Sequence, residues 1–214
     1  TYVSLHEADL TDWAGMKLKS PDPAANLSLK ADLVPWFDSD IKVKGRAPMR
    51  SPWRTIQLAD RPGGLVESSL ILNLNDPCAI DDTSWIHPSK FMGIWWGMIT
   101  NMWTWDHDNP DMHGATTERA KRYIDACAEL GIDGLLVEGW CEGWRNMEFT
   151  NPTEDFDILE IARYGREKGV KLVGHHETGG DIPNYEKQAE AAFHFYSKLG
   201  IDTVKTGYVT GDEP

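Results

Sequence analysis

The pattern of apolar and polar positions divides the chain into two parts. Over residues 1–89, apolar positions alternate with polar ones in short runs that proline and glycine separate. A period of two is typical of strands with one buried face. It predicts strands in "TYVSLHEADL", "RTIQLAD" and "ESSLILNLN". We therefore expect residues 1–80 to form the end of an all-β domain followed by a linker.

From residue 90 onwards, apolar runs alternate with segments of helical period. Strands are predicted at 90–98, 133–140, 170–177 and 202–209, and helices at 116–131, 155–169 and 185–200. The first helix should bury Ala120, Tyr123, Ile124, Cys127 and Leu130, and the second Ile158, Ile161, Ala162 and Gly165.

Strands that recur with one helix between them require parallel pairing. We expect residues 81–214 to form the first four β/α units of a (β/α)₈ TIM barrel, so the fold class is α/β. A doubly wound open sheet is the alternative, but no GxGxxG or GxxxxGK[ST] loop follows a predicted strand, which argues against a nucleotide site.

Composition narrows the class of partner. The chain of 214 residues is 41% hydrophobic, which is enough for a packed core. Its formal net charge of −13 would repel nucleic acid and anionic membranes, so we expect neither as a partner. No apolar run reaches the roughly 18 residues of a membrane-spanning helix, so we expect no membrane insertion. We expect the three cysteines to be free thiols, with two of them buried.

The segment "VKLVGHHETGG" contains the densest group of reactive side chains. It ends a predicted strand in His175, His176 and Glu177 and then breaks at two glycines. In α/β folds, the carboxyl ends of parallel strands hold the functional residues. Because side chains alternate along a strand, His175 and Glu177 share one face and His176 points to the other. Glu177 is the main catalytic candidate, as a base, a nucleophile or a metal ligand.

Two other predicted strand ends supply polar groups. Glu138 ends the second strand in "LLVEGW", where a carboxylate suits ligand binding. Lys205 would lie inside the fourth strand and would need a carboxylate or a ligand oxygen as its partner. Gly207 shares the face of Lys205 and leaves room for a water or a sugar ring.

Three further positions have weaker signals. Trp96 belongs to "GIWWGMITNMWTW", a run that predicts either core packing or a platform for sugar rings. His113 precedes the first predicted helix, where backbone N–H groups bind anions or polar ligands. Glu7 in "HEADL" is by itself an ordinary strand carboxylate. No HExxH spacing accompanies the histidines, which argues against a transition-metal enzyme.

Several long strings, in order, resemble glycoside hydrolase family 97. They are "GIWWGM", "HGATTERAKRYIDACAELGIDGLLVEGW", "GVKLVGHHETGG", "NYEKQ" and "LGIDTVKTGYV", with a thinner match at "HEADL". The family is typified by periplasmic α-glucosidases of bacterial starch utilisation. The resemblance implies a β-sandwich, a central (β/α)₈ barrel and a C-terminal β domain, in a periplasmic or secreted bacterial protein.

The resemblance also implies a mechanism. Retaining members carry an aspartate nucleophile on the fourth strand, whereas inverting members have glycine there and activate water with glutamates. Gly207 therefore implies an inverting α-glucosidase with Glu177 as a general base. The substrate would be an α-glucoside such as a starch-derived maltooligosaccharide. The resemblance implies substrate contacts for His175, Lys205, Glu138 and a tryptophan of the 95–105 cluster; together with the positions singled out above, the expected substrate-binding residues are His175, Lys205, Glu138, Trp96, His113 and Gly207.

The family further implies one calcium ion (Ca²⁺) at the active site, and Glu7 is the candidate for the ligand from the β-sandwich. The general acid and most calcium ligands would lie beyond Pro214, so we expect this stretch alone to be inactive. Two alternatives stay open. One is a carbohydrate-binding barrel protein without hydrolysis, and the other is a divalent-metal lyase or isomerase on the same barrel.

Overall fold

The chain divides into two units, Thr1–Thr83 and Ser84–Gly211. The structure is a computed structural model that describes residues 1–20, 28–36, 39–143 and 147–208. In this described part of the chain, no helix combines the length and the apolar composition that crossing a bilayer requires.

The N-terminal unit consists of two small antiparallel sheets and two short helices. Its elements are β1 (Tyr2–Ala8), β2 (Met16–Lys19), β3 (Lys30–Leu33), β4 (Trp53–Ala59), α1 (Pro62–Val66) and α2 (Leu70–Asn73). Strand β1 pairs with β4, and β2 pairs with β3. The strands predicted in "TYVSLHEADL" and "RTIQLAD" are thus confirmed as β1 and β4, which pair over their whole length.

The strand predicted in "ESSLILNLN" is wrong, because part of this segment forms helix α2. The Ser69 carbonyl accepts a hydrogen bond from the Asn73 N–H at 3.1 Å, and Ser68 Oγ accepts one from the Leu70 N–H at 3.3 Å. Serine side chains that bond to nearby backbone groups favour turns and helix starts over strands. The alternation of leucine with polar residues does not reveal this local competition.

The C-terminal unit contains a four-stranded parallel sheet. Its elements are β5 (Phe91–Gly93), α3 (Trp95–Ile99), α4 (Thr117–Leu130), β6 (Gly134–Leu136), α5 (Ile158–Lys168), β7 (Lys171–Glu177), α6 (Ile182–Leu199) and β8 (Val204–Gly207). The strand order β5-β6-β7-β8 follows the chain, and neighbouring strands are parallel. This confirms the predicted alternation of strands and helices.

The three long helices begin and end at residues that the sequence marks. A side chain accepts a hydrogen bond from the backbone N–H three residues later at each start, namely Thr116, Asp157 and Asp181. A glycine with positive φ follows each end, at Gly131, Gly169 and Gly200. The predicted ends are confirmed, whereas α5 and α6 start three residues away from their predicted first residues.

Helices α4 and α5 bury the faces that their periodicity predicts, with two exceptions in α4. The buried residues of α5 are Ile158, Ile161, Ala162 and Gly165, as predicted. Those of α4 are Ala120, Ile124 and Cys127, and Tyr123 is half-buried against the core. Leu130 is 65% exposed, so its predicted burial is wrong. It is the last residue of α4, where the chain already turns at Gly131. Cys127 and Cys141 are buried free thiols and Cys78 is exposed, as expected.

The strand predicted at 90–98 ends after three residues, and helix α3 takes up its second half. The Ile94 N–H still donates to the Leu136 carbonyl at 3.2 Å, but Ile94 already has helical dihedral angles. A short apolar run fits a buried strand and a helix equally well. Strand β6 is likewise shorter than predicted, and the predicted end of the fourth strand, residue 209, lies outside the described residues.

Candidate active site

The end of β7 directs His175 and Glu177 to one face of the sheet and His176 to the other. His175 and Glu177 lie on one face, as predicted, with His175 Nε2 3.7 Å from Glu177 Oε2. His176 points to the other face, where its ring packs against four aromatic rings. All three side chains are buried. The alternation of the strand thus separates a candidate catalytic face from a packing face.

A glycine-rich turn fixes the carboxylate of Glu177. The Gly179 N–H donates to Glu177 Oε1 at 3.0 Å, and Gly179 has a φ of 57°, which glycine adopts without steric cost. Thr178 Oγ1 donates to the carbonyls of Gly207 and Tyr208, at 3.0 and 2.6 Å, which links this turn to the end of β8. Oε1 of Glu177 is therefore bonded to backbone, and Oε2 is the oxygen beside β8.

Strand β8 places Lys205 opposite His175 and Gly207 opposite Glu177. A Cβ atom added to Gly207 would lie 2.9 Å from Glu177 Oε2, closer than real Cβ contacts come. Glycine at this position therefore leaves the Glu177 carboxylate the space that a side chain would take. The space for a water or a sugar ring that the sequence predicts at Gly207 therefore lies next to the Glu177 carboxylate.

Glu138 lies two residues after β6 and reaches Lys205. Lys205 Nζ donates to Glu138 Oε1 at 3.4 Å, which supplies the carboxylate partner that the sequence predicts for Lys205. Burial raises the pKa of Glu138, and the positive charge of Lys205 opposes that rise. Glu138 Oε2 is buried and has no hydrogen-bond partner among the described residues.

His175 is a neutral, buried side chain beside this ion pair. Burial lowers the pKa of His175 to about 3, and the charges of Lys205 and His176 add to the effect. Its Nδ1 atom also lacks a hydrogen-bond partner within the described ranges. Buried polar atoms in folded proteins are nearly always bonded. Nδ1 of His175 and Oε2 of Glu138 are therefore candidate positions for hydrogen bonds to a ligand.

A cavity of about 710 Å³ brings indole rings to Glu138 and Lys205. Its wall includes Trp95 and Trp96 of α3, whose ring centroids are 5.9 Å apart in an edge-to-face arrangement. Trp96 is 69% exposed and so is not a core residue within this part of the protein. An exposed indole beside hydrogen-bonding groups suits a ligand with both apolar and hydroxyl surface, such as a sugar.

His113 lies in a buried contact between two loops instead of beside Glu177. Its Nδ1 is 2.6 Å from Asp155 Oδ2, and its carbonyl accepts a hydrogen bond from Arg119 Nε at 2.7 Å. Thr153 Oγ1 donates to the other oxygen of Asp155 at 2.9 Å. These bonds hold the loop before α4 against the loop before α5. Nε2 of His113 is buried without a hydrogen-bond partner among the described residues, so contact between His113 and a substrate stays a prediction.

The same loops bring together metal-ligating side chains. His107, His113 and Asp155 have ligand atoms within 4.8 Å of one another. However, both Asp155 oxygens already accept hydrogen bonds, from His113 and from Thr153. We interpret the group as a hydrogen-bonded loop contact.

Glu7 belongs to the N-terminal unit and has partners for both of its oxygens. Oε2 accepts a hydrogen bond from the Met16 N–H at 2.8 Å, and Oε1 accepts one from Arg54 Nε at 3.1 Å. The charge of Arg54 already compensates the carboxylate. Calcium binds through several oxygen ligands, and the role of Glu7 as one of them stays a prediction.

We expect the free energy of unfolding to fall as the pH is lowered from about 6.5 to about 4. Burial lowers the pKa of His176 to about 4 and that of His175 to about 3, from 6.5. In this range the unfolded chain takes up protons that the folded protein does not, so stability present above pH 6.5 is lost. The loss is on the order of 3 kcal/mol for each histidine. Thermal melts of the full-length protein across this range measure it.

The variant His176→Gln isolates one of these groups, because glutamine has no titrating proton. Its melting temperature should depend less steeply on pH than that of the wild type. Equal slopes for both proteins would contradict the lowered pKa of His176.

Comparison with known proteins identifies the family. The model for glycoside hydrolase 97 matches residues 95–213, and the model for the glycosyl-hydrolase 97 N-terminal region matches residues 1–77. The chain belongs to glycoside hydrolase family 97. The resemblance found in its sequence motifs is thereby confirmed.

Solved structures of family 97 agree with this assignment. A family 97 enzyme from Pseudoalteromonas sp. strain K8, in complex with acarbose, is 45% identical over 97% of this chain, with a TM-score of 0.87. A variant of that enzyme in complex with panose has the same identity and TM-score. A β-arabinopyranosidase, 15% identical over 95% of this chain with a TM-score of 0.64, shares the fold. This chain spans about a third, 32%, of the length of the Pseudoalteromonas enzyme.

Two residues of this family 97 chain hold the Glu177 segment and were not singled out from sequence. Thr178 bonds to the backbone of β8, and Tyr196 of α6 bonds to the backbone of His175. Tyr196 lies on the buried face of an amphipathic helix, where an aromatic residue ordinarily indicates core packing. No sequence signal distinguishes it from such a residue.

Proposed function

We propose that the full-length protein hydrolyses α-glucosides, such as starch-derived maltooligosaccharides, with inversion at the anomeric carbon. The observation that carries this proposal is the pairing of Glu177 with Gly207, which puts a buried carboxylate beside a position without a side chain. We further propose that strands β5 to β8 are the first half of a (β/α)₈ barrel, preceded by the end of a β-sandwich. Barrel enzymes hold their active sites at the carboxyl ends of the strands, where Glu138 and Glu177 lie.

In this mechanism Glu177 is a general base. It takes a proton from a water molecule as the water oxygen attacks the anomeric carbon, while a carboxylic acid elsewhere in the full-length protein protonates the departing glycosidic oxygen. Gly207 offers no nucleophile from strand β8. Inverting enzymes separate their two carboxyl groups by about 6.5–9.5 Å, which leaves room for this water.

The sugar would lie between the indole of Trp96 and the polar groups on the strand ends. His175 Nδ1 and Glu138 Oε2, which lack partners among the described residues, would bond to sugar hydroxyls, and Lys205 would hold Glu138 in place. The Pseudoalteromonas enzyme, in complexes with acarbose and with panose, supports an oligosaccharide ligand for this site. His113 is left out of this group because its Nδ1 bonds to Asp155.

For the full-length enzyme we also propose a calcium ion and a periplasmic or secreted location, from the resemblance to family 97. The ion would supply positive charge near the sugar, with ligands mainly outside this chain, since Glu7 is paired with Arg54. The alternative of a divalent-metal lyase or isomerase needs a metal ion on His175. The positive charge of Lys205, opposite His175 in the sheet, disfavours a cation there.

The configuration of the first-formed sugar tests the proposed function. We expect ¹H NMR of an early reaction mixture to show β-glucose released from an α-glucoside by the full-length enzyme. First-formed α-glucose would contradict inversion. Binding of the α-glucoside without turnover would favour a carbohydrate-binding protein instead.

A further inference from the structure

Strand β7 extends four residues further than its pairing with the neighbouring strand β6. Pairing between β6 and β7 ends with Leu136 opposite Val173, whereas β8 pairs with β7 from Gly174 to Glu177. In the described part of the sheet, residues 174–177 therefore have a strand neighbour on one side alone. This is the segment that carries His175 and Glu177.

The backbone groups of His175 face the side without a strand. The N–H groups of Gly174 and Thr178 donate to β8 or the residue before it, at the carbonyls of Thr203 and Gly207. Successive residues of a strand direct their N–H groups to opposite sides, so the N–H of His175 points away from β8. A buried backbone group without a partner would cost free energy comparable to a lost hydrogen bond.

One side-chain hydroxyl takes the place of the missing strand. The His175 N–H donates to Tyr196 Oη at 3.0 Å, and the same hydroxyl donates to the His175 carbonyl at 2.8 Å. Burial raises the pKa of Tyr196 above its usual range, so the hydroxyl keeps its proton and can accept and donate at once. Tyr196 is 1% exposed, which keeps water from competing for these bonds.

The packing around Tyr196 leaves its ring little freedom. A Cβ atom added to Gly174 would lie 2.5 Å from the Tyr196 ring, so glycine at 174 provides space for it. The His176 ring also stacks on Tyr196, with centroids 4.9 Å apart and an interplanar angle of 13°. The ring is therefore confined by two residues that flank His175.

We propose that Tyr196 is a positioning residue for the reaction: its hydroxyl fixes the backbone of His175 and thereby holds Glu177 against Gly207. The inference rests on the proposed role of Glu177 as a general base. It gives the outward face of β7 a part in catalysis, because Gly174, His176 and Tyr196 set the position of the inward face.

The variant Tyr196→Phe in the full-length enzyme tests the proposal, since it keeps the ring and removes the hydroxyl. We expect kcat per folded molecule to fall by about 10- to 100-fold, because small displacements of a catalytic group have effects of this size. KM should change much less than kcat, since the displaced base acts on water. Both constants are measured well below the melting temperature, with the folded fraction taken from circular dichroism.

Tyr164→Phe is the matched control. Tyr164 lies on α5, and its hydroxyl donates to Asp125 Oδ1 of α4 at 2.8 Å, a bond between two helices instead of a bond to the backbone of His175. It should lower the melting temperature and leave kcat unchanged. If both variants lower kcat equally, or if Tyr196→Phe keeps the wild-type kcat, the positioning role is overturned.

Two further measurements keep the outcomes distinct. If Glu177→Gln retains activity, the proposed function fails, whereas a wild-type kcat in Tyr196→Phe alone leaves that function intact. If Tyr196→Phe does not fold, amide hydrogen exchange in the wild type decides. The His175 amide should exchange as slowly as that of Gly174, which bonds to the Thr203 carbonyl at 2.8 Å, and fast exchange of His175 would overturn the proposal.

Discussion

Replacing Glu177 by glutamine is expected to lower the kcat of the full-length enzyme by about 10²- to 10⁴-fold, the range that general-base catalysis contributes. Glutamine has nearly the shape of glutamate, but its amide cannot take a proton from water at neutral pH. The Gly179 N–H that donates to Oε1 at 3.0 Å can donate to the glutamine carbonyl instead. The variant should therefore fold and bind substrate, and the loss should fall on kcat when turnover of an α-glucoside is measured.

Glu190→Gln provides the matched control, because Glu190 is exposed on α6 and the substitution removes the same charge. It should keep the wild-type kcat and melting temperature. Turnover by Glu177→Gln at the wild-type rate would remove Glu177 from the mechanism, whatever the family of the chain.

The order of elements could be predicted from the sequence because it depends on local signals. Capping side chains and positive-φ glycines set the ends of α4, α5 and α6, and these act within a few residues. The buried face of α5 follows from periodicity alone. Helix α2 and helix α3 were missed for the opposite reason. An apolar run of a few residues has the same pattern in a strand and in a helix, and tertiary pairing decides between them.

In the candidate site, too, the features that depend on local geometry could be predicted and the contacts between distant segments could not. The shared face of His175 and Glu177 follows from strand geometry. Lys205 has the carboxylate partner that was predicted for it, but 48% of its side chain is exposed and the buried charge of the pair is that of Glu138, whose side chain is 5% exposed. Contacts between distant segments of the chain could not be predicted from the sequence. Nδ1 of His113 bonds to Asp155, a residue 42 positions away. Neither partner of that bond carries a signal that identifies the other.

Gly207→Ala is expected to lower kcat by about 10²-fold while the protein remains folded, because a displacement of about 1 Å at a catalytic group has effects of this size. The new Cβ would lie 2.9 Å from Glu177 Oε2. Since Gly207 is not among the residues with positive φ, alanine fits the backbone. The carboxylate must therefore move, and its bond to the Gly179 N–H restricts where it can go. Steady-state kinetics with an α-glucoside measure the loss, and thermal melts confirm folding.

Gly93→Ala is the graded comparison within the same site. Its Cβ would lie 3.5 Å from Glu138 Oε1, an ordinary contact, so its loss of kcat should be much smaller.

The effects of Glu177→Gln and Gly207→Ala on kcat should not be additive. In a Glu177→Gln background the base is already lost, so Gly207→Ala should lower kcat little further. Equal losses in both backgrounds would show that alanine at 207 acts on the substrate, independently of Glu177.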